Sequence, residues 1–109
     1  MIDNTQIGSK PNIEYFKLAD VDMVKIPYEI EEVSPGVYTW REISVRRSNY
    51  NYGGIVSELI GLAYSDTKMI AIINNYLLDP TDEEAKTEFD EMQNYRKYAK
   101  SIAKELFNL

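Results

Sequence analysis

The chain has 109 residues, 44% of them hydrophobic, and a formal net charge of −6 at neutral pH. This length suits one small domain near the lower limit for a self-sufficient core. Because the chain has no Cys and no His, it offers no thiolate nucleophile, His general base or usual zinc ligand.

Hydropathy, the first residues and the lack of cysteine also indicate the cellular compartment of the protein. No apolar run approaches the roughly 20 residues that span a bilayer. The start of the chain has neither the basic segment nor the apolar stretch of a secretory signal. Without cysteines there is no disulfide framework that would favour export. We therefore expect a soluble, cytoplasmic protein without a membrane partner.

The first 20 residues carry weak structural signals. Residues 1–11 are polar and contain Gly8 and Pro11, which predicts a flexible arm. The segment 12–20 has three spaced apolar side chains, and it is too short for periodicity to distinguish a strand from a helix. Both alternatives stay open for this segment.

Residues 24–47 predict a β-hairpin. The first strand alternates apolar and polar positions, and Pro27 makes it an edge or irregular strand. Its apolar positions are Val24, Ile26, Tyr28 and Ile30. Ser34-Pro35-Gly36-Val37 then fits a type II turn, in which Pro presets φ and Gly supplies the positive φ.

The returning strand of the hairpin has two faces that both require contacts. Alternation places one set of side chains on one face, namely Val37, Thr39, Arg41, Ile43 and Val45. The other face carries Tyr38, Trp40, Glu42, Ser44 and Arg46. A two-stranded hairpin is marginal alone, so it must pack on helices or join further strands.

Helical periodicity predicts three helices within residues 55–107. The first two span about 55–64 and 67–78, with Ser65 or Asp66 as the cap between them. Their expected buried stripes are Val56, Leu59, Ile60 and Ala63 in the first helix and Met69, Ile72, Ile73, Tyr76 and Leu77 in the second. Asp79 and Pro80 end the second helix, and Thr81 with Glu84 has the spacing of a capping box for the third.

The third helix, residues 81–107, is predicted to be long and amphipathic. At 1.5 Å per residue it extends about 40 Å, more than the ~26 Å expected across a compact domain of this size. Its apolar seam comprises Ala85, Phe89, Met92, Ala99, Ala103 and Leu106, with Arg96 as one substitution. The steps of three and four residues are those of a heptad seam.

One mixed set of aromatic and cationic side chains is the candidate partner-binding site. It consists of Tyr38, Trp40, Arg41, Arg46, Arg47, Tyr50 and Tyr52. This mixture is enriched in protein interfaces and in platforms that stack single-stranded nucleic acid. The net negative charge disfavours binding to nucleic acid. For Trp40, the alternative is that it simply packs on the first or second helix.

Other features have structural explanations. The acidic residues Asp20, Asp22, Asp79 and the segment 82–84 fit turns and caps better than a calcium loop. The Gly53-Gly54 pair lacks a phosphate-binding fingerprint and fits a tight entry into the first helix. We expect no metal, no cofactor and no catalytic residue.

The order of several short segments resembles a known group of proteins. These segments are Tyr38-Thr39-Trp40, Tyr64-Ser65-Asp66, Ala71-Ile72-Ile73-Asn74-Asn75-Tyr76, Phe89, Gln93, Arg96, Ala99-Lys100 and Ala103-Lys104. Over about residues 37–104 the chain looks like small uncharacterised proteins encoded among phage and prophage structural genes. The resemblance implies a virion or assembly component, such as a tail-associated one, located in the cytoplasm of a host cell or associated with a virion, and it transfers no functional residue.

The sequence therefore predicts a single α+β domain over residues 1–109, with an N-terminal β-hairpin packed against three C-terminal helices. Its expected function is that of a non-enzymatic interaction or structural protein, a phage-type accessory or assembly factor that binds a protein partner or itself as a homo-oligomer. The alternative is a small nucleic-acid-associated regulator that uses the Arg/Tyr-rich hairpin and connector.

Overall fold

The computed structural model describes residues 5–109. It has an α+β architecture in which a four-stranded antiparallel sheet is followed by three α-helices, the last of them long. The strands are β1 (Gln6–Gly8), β2 (Glu14–Leu18), β3 (Val21–Ser34) and β4 (Val37–Arg46), in the sheet order β1-β4-β3-β2. A short 3-10 turn, Arg47–Asn49, leads to α1 (Tyr52–Gly61), α2 (Asp66–Leu78) and α3 (Glu83–Leu106). The α+β class and the three helices agree with the sequence prediction, and the sheet adds two strands to the predicted hairpin.

Strands β3 and β4 form the predicted hairpin. Ser34 pairs with Val37 across the turn, and Gly36 has φ 75°, as the type II turn requires. The β3 register shifts after Tyr28, which leaves Ile30 exposed although the sequence placed it on the apolar face. Pro27 lies beyond Lys25, where the pairing of β2 with β3 ends, so its missing N–H falls outside the β2–β3 ladder.

The two additional strands lie in the segments with weak sequence signals. The segment left open, 12–20, contains β2, which pairs with β3 through a two-residue turn at Ala19 and Asp20. Both turn residues have positive φ, 48° and 65°, as in a type I′ turn. Within the range expected to be a flexible arm, the structure places β1 at Gln6–Gly8, paired with β4. Residues 1–4 lie outside the described residues.

The core lies between one face of the sheet and two of the helices. Its fully or almost fully buried members are Val24, Ile26, Tyr28, Ile43 and Val45 from the sheet, Ile55 and Leu59 from α1, and Ala99, Ile102 and Ala103 from α3. The predicted alternation of β3 and β4 is thus confirmed for the stretch that faces the helices. Small alanines on α3 permit its close approach to the sheet and to α1.

The helix boundaries differ from the prediction for local reasons. Helix α1 begins at Tyr52 rather than 55 because the Asn51 side chain accepts a hydrogen bond from Gly54 N at 2.8 Å and caps the helix. Its buried residues are Ile55 and Leu59, and the expected Ala63 is exposed beyond its end. Helix α3 is capped by Asp82, not by the predicted Thr81, through Glu84 N and Ala85 N.

Helix α2 is attached to the rest of the molecule mainly through α3. Tyr76 of α2 stacks on Phe89 of α3 with ring centroids 4.3 Å apart and an interplanar angle of 11°. Of the 13 residues in α2 only Ile72 is buried. Leu77, expected in the buried stripe, is 67% exposed, because the packing on α3 uses the opposite side of the helix. None of the helices in residues 5–109 is long and apolar enough to cross a membrane.

Candidate functional site

The seven residues of the predicted partner-binding site do not form one surface. Alternation along β4 places Ile43 and Val45 in the core, so Tyr38, Trp40 and Arg46 lie on the sheet face opposite the helices. We call this face the outer face; in β4 it comprises Tyr38, Trp40, Glu42, Ser44 and Arg46. The remaining four predicted residues lie elsewhere.

Trp40 is the central aromatic residue of the outer face. Its register partner is Gln6 of β1, and its Cη2 lies 3.4 Å from the position that a Cβ on Gly8 would take. The indole N–H is buried and has no acceptor among the described residues. Trp40 therefore packs on β1, and the alternative in which it packs on the first or second helix is wrong.

The outer face carries charged side chains beside its aromatic ones. A hydrogen bond to Glu32 raises the pKa of the Tyr38 phenol. Lys25 lies 5.8 Å from the centroid of the Phe16 ring and 3.9 Å from a Glu14 carboxylate oxygen. Trp40, Tyr38 and Phe16 are all partly buried, so this face exposes less apolar area than its composition suggests.

Arg41 lies on the helix side of the sheet in a polar cluster. Its Nε lies 3.3 Å from Glu29 Oε2, and the Tyr98 hydroxyl of α3 donates a hydrogen bond to the other oxygen of Glu29. Burial, and secondarily this carboxylate, raise the pKa of Tyr98 well above its usual value. Glu29 has φ 51° at the register shift of β3. The cluster joins the irregular part of the hairpin to α3, which is a structural role for Arg41.

The connector residues pack against the body of the protein. Tyr50 contacts Phe107 with ring centroids 5.4 Å apart, and burial raises the pKa of Tyr50. Tyr52 is partly buried against the core. Arg47 lies over the Tyr15 ring of β2, 5.1 Å from its centroid. These contacts separate the connector residues from Trp40. Of the seven residues only Tyr38, Trp40 and Arg46 share the outer face, and Arg46 lies at the opposite end of β4 from Tyr38.

Most of these acidic residues lie in caps and turns, as predicted, but Asp22 lies within β3. Asp79 Oδ1 accepts from Thr81 Oγ1 at 2.6 Å and from Thr81 N at 3.1 Å, and these bonds lower its pKa. Asp82 caps α3, and Asp22 lies 3.7 Å from Lys17 Nζ. Within residues 5–109 there is no group of three or more acidic side chains that could hold a metal ion.

The outward side of α2 is a second surface, and the sequence analysis missed it. Ile70, Leu77 and Leu78 are 58%, 67% and 87% exposed. The ten residues 69–78 contain no charged side chain, although 28% of the chain is charged. Depletion of charge is typical of the centre of an interface. The uncharged run 69–78 was the sequence signal for this surface, but its apolar residues were predicted to pack in the core.

Comparison with known proteins adds no relative. A scan against protein-family models and searches of curated proteins and of solved structures gave no match.

Proposed function

We propose that this chain is a non-enzymatic interaction protein that acts by self-association or protein docking, as a structural or assembly component. The strongest support for this proposal is the large solvent-exposed area of the chain. The structure exposes 7544 Å², whereas the mass scaling for folded monomers gives about 6,200 Å². The surplus of about 1,300 Å² exceeds the ~800 Å² that each partner buries in a standard interface.

The shape of the molecule has the same implication. Its radius of gyration is 16.6 Å, against about 13 Å for a compact chain of this length. Helix α3, whose 24 residues extend about 36 Å, carries α2 on its N-terminal half and the sheet on its C-terminal half. An extended α3 with an amphipathic pattern is suited to hold two surfaces apart for separate contacts.

The phage-type resemblance agrees with this proposal, since it implies a component of a virion or of its assembly. The nucleic-acid alternative has less support, because most cations of the hairpin region have partners in the structure. Arg41 contacts Glu29, Lys25 contacts Glu14, and Arg47 covers the Tyr15 ring. Phosphate binding would have to break these contacts in a chain of net charge −6.

The test is the solution mass of the full chain, measured by light scattering after size exclusion at several concentrations. We expect a dimer or larger closed assembly that dissociates on dilution in the micromolar range, the weak end of the affinities found for interfaces of standard size. A mass that stays monomeric at every concentration up to about a millimolar, near the weak limit of specific association, would contradict self-association.

A further inference from the structure

The exposed apolar residues of α2 lie on the side of the helix centred on Asn74. At 100° per residue, the side of α2 opposite Ile72 forms a sector of about 120°. We call the part of this sector within the uncharged run 69–78 the α2 stripe; its members are Ile70, Ala71, Asn74, Leu77 and Leu78, and all five are exposed. Thr67 lies on the same side, before the run begins. Ile70 and Leu78 lie four residues on either side of Asn74, and Ala71 and Leu77 lie three residues on either side.

We propose that the α2 stripe binds the α2 stripe of a second copy of this chain, with the two helices antiparallel and a two-fold axis at Asn74. This inference rests on the proposed self-association and names its contact. In such a pair, Ile70 meets Leu78 of the second copy. The small Ala71 meets the larger Leu77 of the second copy, which lets the helices interdigitate. A two-fold interface requires this kind of self-complementary surface.

Asn74 suits the position on the axis. Its side-chain amide has both donors and an acceptor, so two copies can hydrogen-bond to each other across a two-fold axis. A single polar residue in an apolar helix seam also fixes the register of the pair. A second copy is the occupant because self-association needs a surface that both copies can share, and the uncharged α2 stripe is such a surface.

Charge and area are consistent with this contact. Two chains of net charge −6 repel each other, and they approach best through a surface that carries no charge. Residues 69–78 form such a surface. Helix α2 is about 20 Å long. Two such helices side by side bury an area at the small end of the range for specific interfaces. Residues that flank α2 would add to this buried area.

Two neighbouring asparagines provide a matched test. Asn74→Asp and Asn75→Asp add the same charge to the same helix with nearly the same shape, and both residues are exposed. Only Asn74 lies in the stripe. We expect Asn74→Asp to raise the dimer dissociation constant about ten-fold or more, because two carboxylates then face each other at the axis. Asn75→Asp should change it by no more than about two-fold, as for an ordinary surface substitution.

Mixing experiments test the orientation of the helices. Chains with Asn74→Asp and chains with Asn74→Lys should each dissociate alone and form a heterodimer when mixed. Chains with Ile70→Asp mixed with chains with Leu78→Lys should also recover association, because only the antiparallel arrangement brings these two positions together. Circular dichroism of each chain alone checks that it remains folded.

Each outcome has a distinct meaning. A wild-type chain that never associates contradicts self-association and this contact, and leaves docking on a different protein as the proposed function. If the wild-type chain dimerises and Asn74→Asp associates as tightly as Asn75→Asp, the contact lies on another face. In that case this inference is overturned while the proposed function stands. Equal weakening by both substitutions indicates a general charge effect and also overturns the α2 contact.

Discussion

Gly54 is the residue whose identity the fold restricts most directly. A Cβ at this position would lie 1.9 Å from the backbone oxygen of Asn49, in the 3-10 turn that precedes α1. The Gly54 N–H donates to the Asn51 side chain that caps the helix. The close approach of turn and helix therefore explains this glycine without any ligand. The adjacent Gly53 has no such contact, since its nearest neighbour would lie at 3.8 Å.

The two glycines form a matched pair of substitutions. We expect Gly54→Ala to lower the free energy of unfolding by about 2 kcal/mol or more, because the turn must move to admit the methyl group. Gly53→Ala should be neutral or stabilising by up to about 1 kcal/mol, because alanine favours the helix. Urea unfolding followed by circular dichroism measures both changes. Equal effects at the two positions would contradict the described packing of the turn on α1.

At the scale of elements, β1 is the strand that depends most on a single side chain. It has three residues, and Trp40 of β4 covers its Gly8. Trp40 lies outside the buried core formed by the inner sheet face, α1 and α3. The helices therefore do not depend on it directly.

This arrangement makes a prediction for Trp40→Ala. The helical circular dichroism signal should remain nearly unchanged, while backbone amides in Gln6–Gly8 should exchange about ten-fold faster or more, which corresponds to about 1.4 kcal/mol of lost local stability. Ser44→Ala, on the same face but paired with Lys25 of β3, is the control and should leave β1 unaffected. Loss of helical signal in Trp40→Ala would instead make Trp40 a core residue and remove it from any partner surface.

The strands show what the sequence could predict and what it could not. The β3–β4 hairpin was predictable because Pro35 and Gly36 are the residues that a type II turn requires. The β2–β3 turn was not, because Ala19 and Asp20 adopt positive φ without the Gly or Asn that usually marks a type I′ turn. Strand β1 is too short to show periodicity.

The helices illustrate a second limit of the sequence. Met92, Ala99 and Ala103 were predicted on the α3 seam and are buried. In α2, however, apolar residues lie on several sides, and periodicity alone cannot tell which side faces a neighbour. Packing on α3 buries Ile72 and leaves Leu77 exposed. The candidate surface was missed for this reason, because the apolar residues of the uncharged run 69–78 were assumed to be core.

On the scale of the whole molecule, shape and charge oppose each other. The elongated structure exposes more surface than a compact monomer of its mass, which favours association. The net charge of −6 opposes the approach of two copies. The balance between these two effects depends on ionic strength, because salt screens the repulsion and leaves an uncharged apolar contact intact.

Salt dependence therefore distinguishes the α2 contact from ionic binding. Raising NaCl from about 0.01 M to about 0.5 M shortens the Debye length from about 30 Å to under 10 Å. We expect the wild-type dimer to tighten several-fold over this range, measured by sedimentation equilibrium. The heterodimer of Asn74→Asp and Asn74→Lys chains should gain less, because its contact includes an ion pair that salt weakens. If wild-type association weakens as salt is added, ionic contacts hold the two copies together. The contact would then lie on a surface other than the α2 stripe.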